Sequence, residues 1–249
     1  MGDITEDRLL DGKVLLRQPE EGYRAAIDPV LMAAMVAAND GEMVLDLGSG
    51  VGAASLCLAA RVPGCRVFGL EMQPNLVALA RQNIEINGFT GRVESMIGTL
   101  QAPPPRLAPA SFHHVMTNPP FNASEGTPSG NAGKDAANRE GEVDLADWMR
   151  FAVNMLRPKG SLTVIYRADR LDDLLAALYK KVGEIVITPL WPKRGRPAKR
   201  VLLKARKGIA TPLTLSAGLV LHEEDGRYTQ LADDVLRRAK ALPNSEPAG

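Results

Sequence analysis

At 249 residues, with 45% apolar and 24% charged side chains, the chain can bury one sizeable core and has the make-up of an ordinary soluble protein. A formal net charge of +1 excludes a global polycation, and the two cysteines, Cys57 and Cys65, have neither metal-ligand nor redox spacing, so they read as small buried hydrophobes in a reducing compartment. Residues 1–11 are acidic and polar, against a secretory signal, and no apolar run approaches membrane-spanning length, so a cytoplasmic protein with no membrane and no metal partner is expected.

Residues 1–20 read as a loosely held arm with one short strand at 13–17. Tyr23 and Arg24 follow, with no local structural reason to be there. Asp28-Pro29 then opens an apolar run: an acidic N-cap before a proline at the first helical position predicts a helix start, with Asp28 as cap or, on the other reading, as ligand. Arm and helix, residues 1–40, are expected to pack on one α/β domain of residues 41–242, leaving 243–249 as a tail.

Residues 42–47 form a compact apolar strand ending in Asp46-Leu47-Gly48-Ser49-Gly50-Val51-Gly52, and an Ala/Leu-rich helix over 53–62 follows. Strand, glycine turn and helix make the first half of a nucleotide-binding βαβ unit, in which missing side chains let the backbone approach a ligand closely. The third glycine comes one residue earlier than in the dinucleotide spacing. A second strand, 66–70, ends in Glu71, 25 residues past Asp46, where an acidic tip grips ribose hydroxyls. Pro74 starts a helix through Asn87 with Gly88 as C-cap, 92–97 is a third strand, and 101–109 is a loop.

The run Phe112 to Thr117 reads as a fourth strand that carries Asn118-Pro119-Pro120-Phe121 out at its end. Two consecutive prolines fix two φ angles and remove two N–H donors. The turn is left rich in acceptors and suits a ligand with hydrogens to give, such as the exocyclic amino group of a base on which Phe121 stacks. Taken alone, the tetrapeptide is a proline-rich strand exit with Phe121 plugged into the core. Residues 122–141 hold no Leu, Ile, Val, Met or aromatic side chain and read as a lid or as idle disorder. An amphipathic helix over 143–156 contains Trp148 and Phe151; strand 161–166, helix 171–182, strand 184–190 and a seventh strand at 201–205 follow. A last strand near 219–222 and a helix over 233–241 finish the chain.

No acidic residue occurs from Ile185 to His222, while eight Lys or Arg fall in the fifteen positions from Lys193 to Lys207. One-sided charge over this length points to a polyanion, with Lys193, Arg194, Arg196, Lys199 and Arg200 as RNA-phosphate contacts.

Together these motifs resemble a class I S-adenosylmethionine-dependent methyltransferase and, more narrowly, the tRNA1(Val) (adenine37-N6)-methyltransferase family, over about residues 8–207. The resemblance is carried by Gly22-Tyr23-Arg24 leading to Asp28-Pro29-Val30-Leu31, by the glycine turn, by Glu71, by the Asn-Pro-Pro-Phe turn and by Pro197-Ala198-Lys199-Arg200-Val201-Leu202. It implies a Rossmann-like α/β fold: a seven-stranded, mostly parallel sheet with strand seven antiparallel and helices on both faces. It also implies S-adenosylmethionine as cofactor, S-adenosylhomocysteine as product and tRNA as partner. Asp46, Gly48, Ser49, Gly50 and Gly52 would cradle the methionine portion, Glu71 would bind ribose and Met72 would lie against adenine. Tyr23, Arg24, Asp28 and Asn118 would complete that site. Where the family places an acidic residue for the adenine amino group this chain has Ile97-Gly98-Thr99-Leu100, so Thr99 or a backbone group takes the role.

The implied chemistry needs little beyond positioning. An adenine amino nitrogen is a poor nucleophile because its lone pair is delocalised into the ring. The Asn118 oxygen and the Pro119 carbonyl, each taking one N–H, would tilt it toward tetrahedral geometry, and a sulfonium leaves without a strong base or metal. The histidines agree: none sits in a base-like constellation, and His113 and His114, adjacent on a strand, face opposite sides. A protein glutamine amide and guanine N2 in rRNA present the same NH₂ and stay as alternatives. A nicotinamide-dependent dehydrogenase would leave residues 118–121 unexplained, and a non-catalytic RNA-binding module would explain the basic run alone.

Overall fold

The computed structural model describes residues 3–21, 24–120 and 143–243. The expectations for Tyr23, Phe121 and segment 122–141 lie outside the described residues.

Five strands, β3 (Met43–Leu47), β4 (Arg66–Glu71), β5 (Val93–Ile97), β6 (Phe112–Thr117) and β7 (Leu156–Arg167), are buried over most of their length, as parallel strands covered on both faces must be. They pair in the order β5-β4-β3-β6-β7, all parallel. Beyond β7 comes β9 (Arg200–Lys207), antiparallel to it, and then β8 (Val182–Trp191). The expected seven-strand sheet with one antiparallel member is thus present. Two short strands extend it along β8: β11 (Leu219–Val220), where a last strand was expected, and β10 (Thr214–Leu215), which was not.

Alternate side chains of each strand enter opposite cores. Val44, Val67, Met116 and Ile165 pack with helices α1 (Ile27–Met35), α2 (Ala53–Arg61), α3 (Pro74–Ile86) and α6 (Gln230–Arg238). Leu45, Leu70, Val115 and Val164 pack with α4 (Leu145–Met155) and α5 (Leu171–Leu178). Between β4 and β6, strand β3 is where the chain order reverses, and open α/β sheets take ligands at the carboxyl ends of such strands. Among the described residues no helix is long and apolar enough to cross a membrane.

The N-terminal residues are not a loose arm. Strands β1 (Ile4–Leu9) and β2 (Val14–Pro19) form an antiparallel hairpin. Two asparagines on successive turns of the α3 segment hold it: Asn87 accepts from the Leu15 N–H at 2.8 Å and donates to the Leu15 carbonyl at 2.7 Å, and Asn83 does the same for Arg17 at 2.8 and 2.9 Å. Four helical residues rise about 6 Å and two strand residues advance about 6.7 Å, so i,i+4 on a helix fits i,i+2 on a strand edge. Each side-chain amide imitates a peptide group there. Asn83 also donates to the Val51 carbonyl at 3.0 Å, joining hairpin, α3 and glycine turn.

Other boundaries shift for local reasons. Helix α1 begins at Ile27 with Ala26 in the cap position, so Asp28 is not the N-cap; it lies in the first turn and accepts from Arg200 Nε at 3.1 Å. A first-turn carboxylate suits the helix dipole, which is why Asp-Pro located the helix correctly but misassigned the aspartate. Strand β7 starts directly after α4, absorbing Pro158-Lys159-Gly160 as an irregularity with Lys159 at φ 62°. Helix α5 ends at Leu178, short of the expected 182.

Both β6 histidines have structural partners. His114 lies between Ser161 Oγ (2.7 Å) and Glu42 Oε2 (2.8 Å), and His113 Nδ1 accepts from the Met43 N–H at 3.2 Å. Burial pushes the His114 imidazole below its ordinary value near 6.5, although Glu42 pulls it upward. Burial raises the Glu42 carboxyl, but the His114 bond and the Asn39 N–H outweigh it and hold the group below 4.5. Neutral His114 therefore donates Nε2–H to Glu42 and accepts from Ser161. A histidine depressed in the fold contributes fully above the unfolded value and loses that contribution as pH falls below it. His114→Gln should cost about 1–2 kcal/mol at pH 7.5. The Tm gap between wild type and variant should then narrow as pH is lowered to 5.5. A constant gap would show that the ring titrates alike in both states.

Candidate active site

The pairing register lays the expected residues along one edge. Leu70, Leu47, Thr117 and Val164 are neighbours across β4, β3, β6 and β7, so Glu71, Gly48 and Asn118 end or follow their strands in one row. With strands about 4.8 Å apart, Asn118 stands one strand from Gly48 and two from Glu71, roughly the span of a nucleoside.

Gly48, Gly50 and Gly52 have φ of 75°, 54° and 86°, the left-handed region that L side chains resist. The turn's amides are already engaged: those of Gly48 and Ser49 on the Leu70 carbonyl, that of Gly50 on Glu71 Oε2 at 3.0 Å and that of Gly52 on the Ser49 carbonyl. Its gift to a ligand is therefore room, since a Cβ on Gly50 would meet nothing within 4 Å. The Ser49 hydroxyl is buried without a partner and faces Gly69, where a Cβ would come within 2.6 Å of it. Glu71 also accepts from the Gln73 N–H at 2.9 Å, so its carboxylate fastens the tip of β4 to the glycine turn.

Asp46 is buried beneath this turn, its carboxylate accepting from Ser55 Oγ at 2.6 Å. Burial pushes it up to about 6, with neighbouring Glu71 adding to the rise and Ser55 opposing it. A buried anion in this position is relieved by an ammonium group. Past Glu71, exposed Met72 and Ile97 offer apolar surface, 62% and 49% accessible, on the adjoining tips of β4 and β5. Thr99 Oγ1 accepts from the Ala102 N–H at 3.0 Å, bracing its own turn. An ammonium partner, a ribose-type acceptor and a flat apolar ledge in one row fit an amino-acid-bearing nucleoside such as S-adenosylmethionine.

Trp148 of α4 fixes the root of Asn118. Its Nε1–H donates to Thr117 Oγ1 at 2.9 Å, and Thr117 donates to the Leu47 carbonyl at 2.8 Å. The indole lies so close to Gly48 that a Cβ there would sit 3.0 and 3.2 Å from two ring carbons. One side chain thus touches the glycine turn and the strand leading to Asn118. The sequence showed it only as part of an amphipathic helix.

Asn118 is half-buried, Pro119 buried and Pro120 exposed. The two prolines line a chamber of about 430 Å³ whose other walls include Trp148, Tyr166, Arg167 and Arg170. Of the remaining expected ligands, Arg24 is engaged by the hairpin, donating to Thr5 Oγ1, the Pro19 carbonyl and Asp7 Oδ2. Asp28 is paired with Arg200.

The basic run divides in two. Lys193, Arg196 and Lys199 line a groove of about 420 Å³ at the β8–β9 turn, with Arg194 exposed beside them, on the same sheet edge as Asn118. Lys204 is buried within β9, while Arg206 pairs with Glu184 and Lys207 donates to the Leu156 carbonyl at the opposite end. Arg200 is turned to Asp28 and serves the fold.

A family described as methyltransferase small domain matches residues 27–189. The chain is 28% identical over 212 residues to the tRNA1(Val) (adenine(37)-N6)-methyltransferase of Aeromonas hydrophila, covering 83% of this chain and 85% of that protein. It is 28% identical over 229 residues to the Porphyromonas gingivalis protein of the same name, with 83% and 84% covered. Among solved structures, Atu636 from Agrobacterium tumefaciens, described as a predicted O-methyltransferase, superposes with a TM-score of 0.73 at 28% identity, covering 86% of this chain and 98% of that one. TYW2 of M. jannaschii, solved with AdoMet, shares the fold at a TM-score of 0.57 and 13% identity, with 83% and 86% covered.

Proposed function

The chain belongs to the methyltransferase small domain family, and we propose that it methylates the N6 amino group of an adenine in a tRNA anticodon loop. S-adenosylmethionine is its cofactor, supplying a methyl group on a sulfonium that is already a good leaving group. Asp46, Gly48, Gly50 and Gly52 would hold its amino-acid end, Glu71 would accept from its ribose, and Met72 would offer apolar surface to its adenine.

The observation that carries the acceptor reading is the Asn118-Pro119-Pro120 corner, one strand from the glycine turn. The Asn118 side-chain oxygen and the Pro119 carbonyl each accept one N–H of the acceptor and leave the nitrogen lone pair facing the donor. A hydroxyl acceptor has one hydrogen to give, so a corner with two acceptors favours nitrogen over oxygen. The names of the curated relatives support tRNA adenine as substrate, and the Lys193–Arg196–Lys199 groove on the same edge supplies phosphate contacts.

Mass spectrometry of nucleosides from total tRNA tests the reading. N6-methyladenosine should fall in a strain lacking the gene and return when the gene is restored. A drop in N2-methylguanosine, or no change in any nucleoside, would reject it. Arg196→Glu combined with Lys199→Glu should weaken binding to tRNA and flatten its log–log salt dependence by about 2. Arg200 is unsuitable for that test because it holds Asp28.

A further inference from the structure

The chamber beside Pro119 and Pro120 carries cations that the basic run does not include. Arg167 ends β7, Arg170 ends the 3₁₀ turn Ala168–Arg170, and Lys181 follows α5; all three line the chamber. Its acidic members, Asp144 and Asp173, have structural tasks. Asp144 caps α4 by accepting from the Asp147 N–H at 2.6 Å, and Asp173 holds Arg170 Nε at 2.5 Å. Asp169 likewise holds Arg167 by two bonds, at Nε (2.8 Å) and at Nη2. Carboxylates on the Nε edges fix the planes of both guanidinium groups, and such forks match phosphate oxygens. Pro119, Trp148 and Tyr166 line the same chamber.

An extruded nucleotide brings its phosphate with it, and phosphate contacts set register without reading sequence. We propose that this chamber is the subsite for the acceptor nucleotide's sugar-phosphate, with Arg167, Arg170 and Lys181 as its phosphate clamp. The inference rests on the reading that the acceptor is a nucleotide, since a protein amide would bring no anion here. The rim of the chamber also meets the basic turn: the Ala168 N–H donates to the Lys199 carbonyl at 3.1 Å, and Arg167 is the register partner of Arg200. The chamber and the basic groove therefore adjoin along one sheet edge.

Calorimetric titration of the full-length protein with adenosine 5′-monophosphate and with adenosine tests the clamp, with saturating S-adenosylhomocysteine blocking the cofactor site. The wild type should bind the monophosphate about tenfold or more tightly than the nucleoside. Arg170→Gln and Lys181→Gln should each erode that preference, Arg170→Lys should recover part of it, and affinity for S-adenosylhomocysteine should stay unchanged. With a tRNA stem-loop the Gln variants should raise KM more than they lower kcat. Equal affinity for monophosphate and nucleoside in the wild type, or an intact preference in both Gln variants, overturns the clamp. A wild-type protein that leaves tRNA adenine unmodified sinks the acceptor reading instead, so the two failures are distinguishable.

Discussion

Replacing Asn118 with alanine is expected to lower kcat for methyl transfer by about 10²–10³-fold while the Kd for S-adenosylmethionine moves by less than about twofold. The asymmetry follows from where the residue sits. The groups proposed to hold the cofactor, Asp46, Glu71 and the glycine turn, lie on or after β3 and β4, with Glu71 bonded to Gly50 and Asp46 to Ser55, whereas Asn118 follows β6. On the proposed mechanism, truncation removes an acceptor that acts on the incoming amino group only as its nitrogen becomes tetrahedral. Such a loss appears in kcat rather than in ground-state binding. Single-turnover kinetics beside calorimetry separate the two quantities. Wild-type turnover in the alanine variant would refute the acceptor-pair mechanism outright.

The second large effect is expected at Trp148. Trp148→Ala empties a buried site against Gly48 and should destabilise the fold by about 3–5 kcal/mol, read from urea unfolding. Loss of activity in that variant could reflect unfolding alone, so Trp148→Phe is the informative change. Phenylalanine retains most of the apolar contact but cannot donate to Thr117 Oγ1, and should cost about 1–2 kcal/mol. If the Trp148–Thr117–Leu47 chain positions the strand exit, kcat falls in the folded Phe variant while S-adenosylmethionine binding holds. Full turnover there would assign the indole to packing alone.

What the sequence disclosed and what it hid have physical reasons. Local signals survive translation into structure: the glycines of residues 48–52 need left-handed backbone, the apolar runs need burial, and the acidic tip at Glu71 follows its strand. Their adjacency to Asn118 was also readable, because parallel strands joined by helices have few topologies. Signals that depend on distant partners were not readable. Asn83 and Asn87 look like solvent-facing positions of an amphipathic helix until a strand edge with matching spacing arrives from 66 and 72 residues away. Arg24 was assigned to the cofactor because the hairpin it ties together was read as a loose arm, which left it without a local structural reason.

Charge was the least legible property. Eight cations in sequence looked like one surface, yet a strand carries its ends to opposite edges of a sheet, and β9 spans that distance. Arg167, Arg170 and Lys181 gave no sequence signal because acidic residues are interleaved with them, and only the fold gathers them around the chamber.

The amides of Gly48, Ser49, Gly50 and Gly52 have their acceptors before any ligand arrives. The loop's N–H groups are consequently preset, and a ligand docking there gains no new bond from a main-chain N–H at those four positions. On the proposed assignment, discrimination among nucleoside ligands falls to shape and to the carboxylates of Asp46 and Glu71. A mimic that fills the contour but lacks the amino-acid ammonium should slip in readily and leave just as fast.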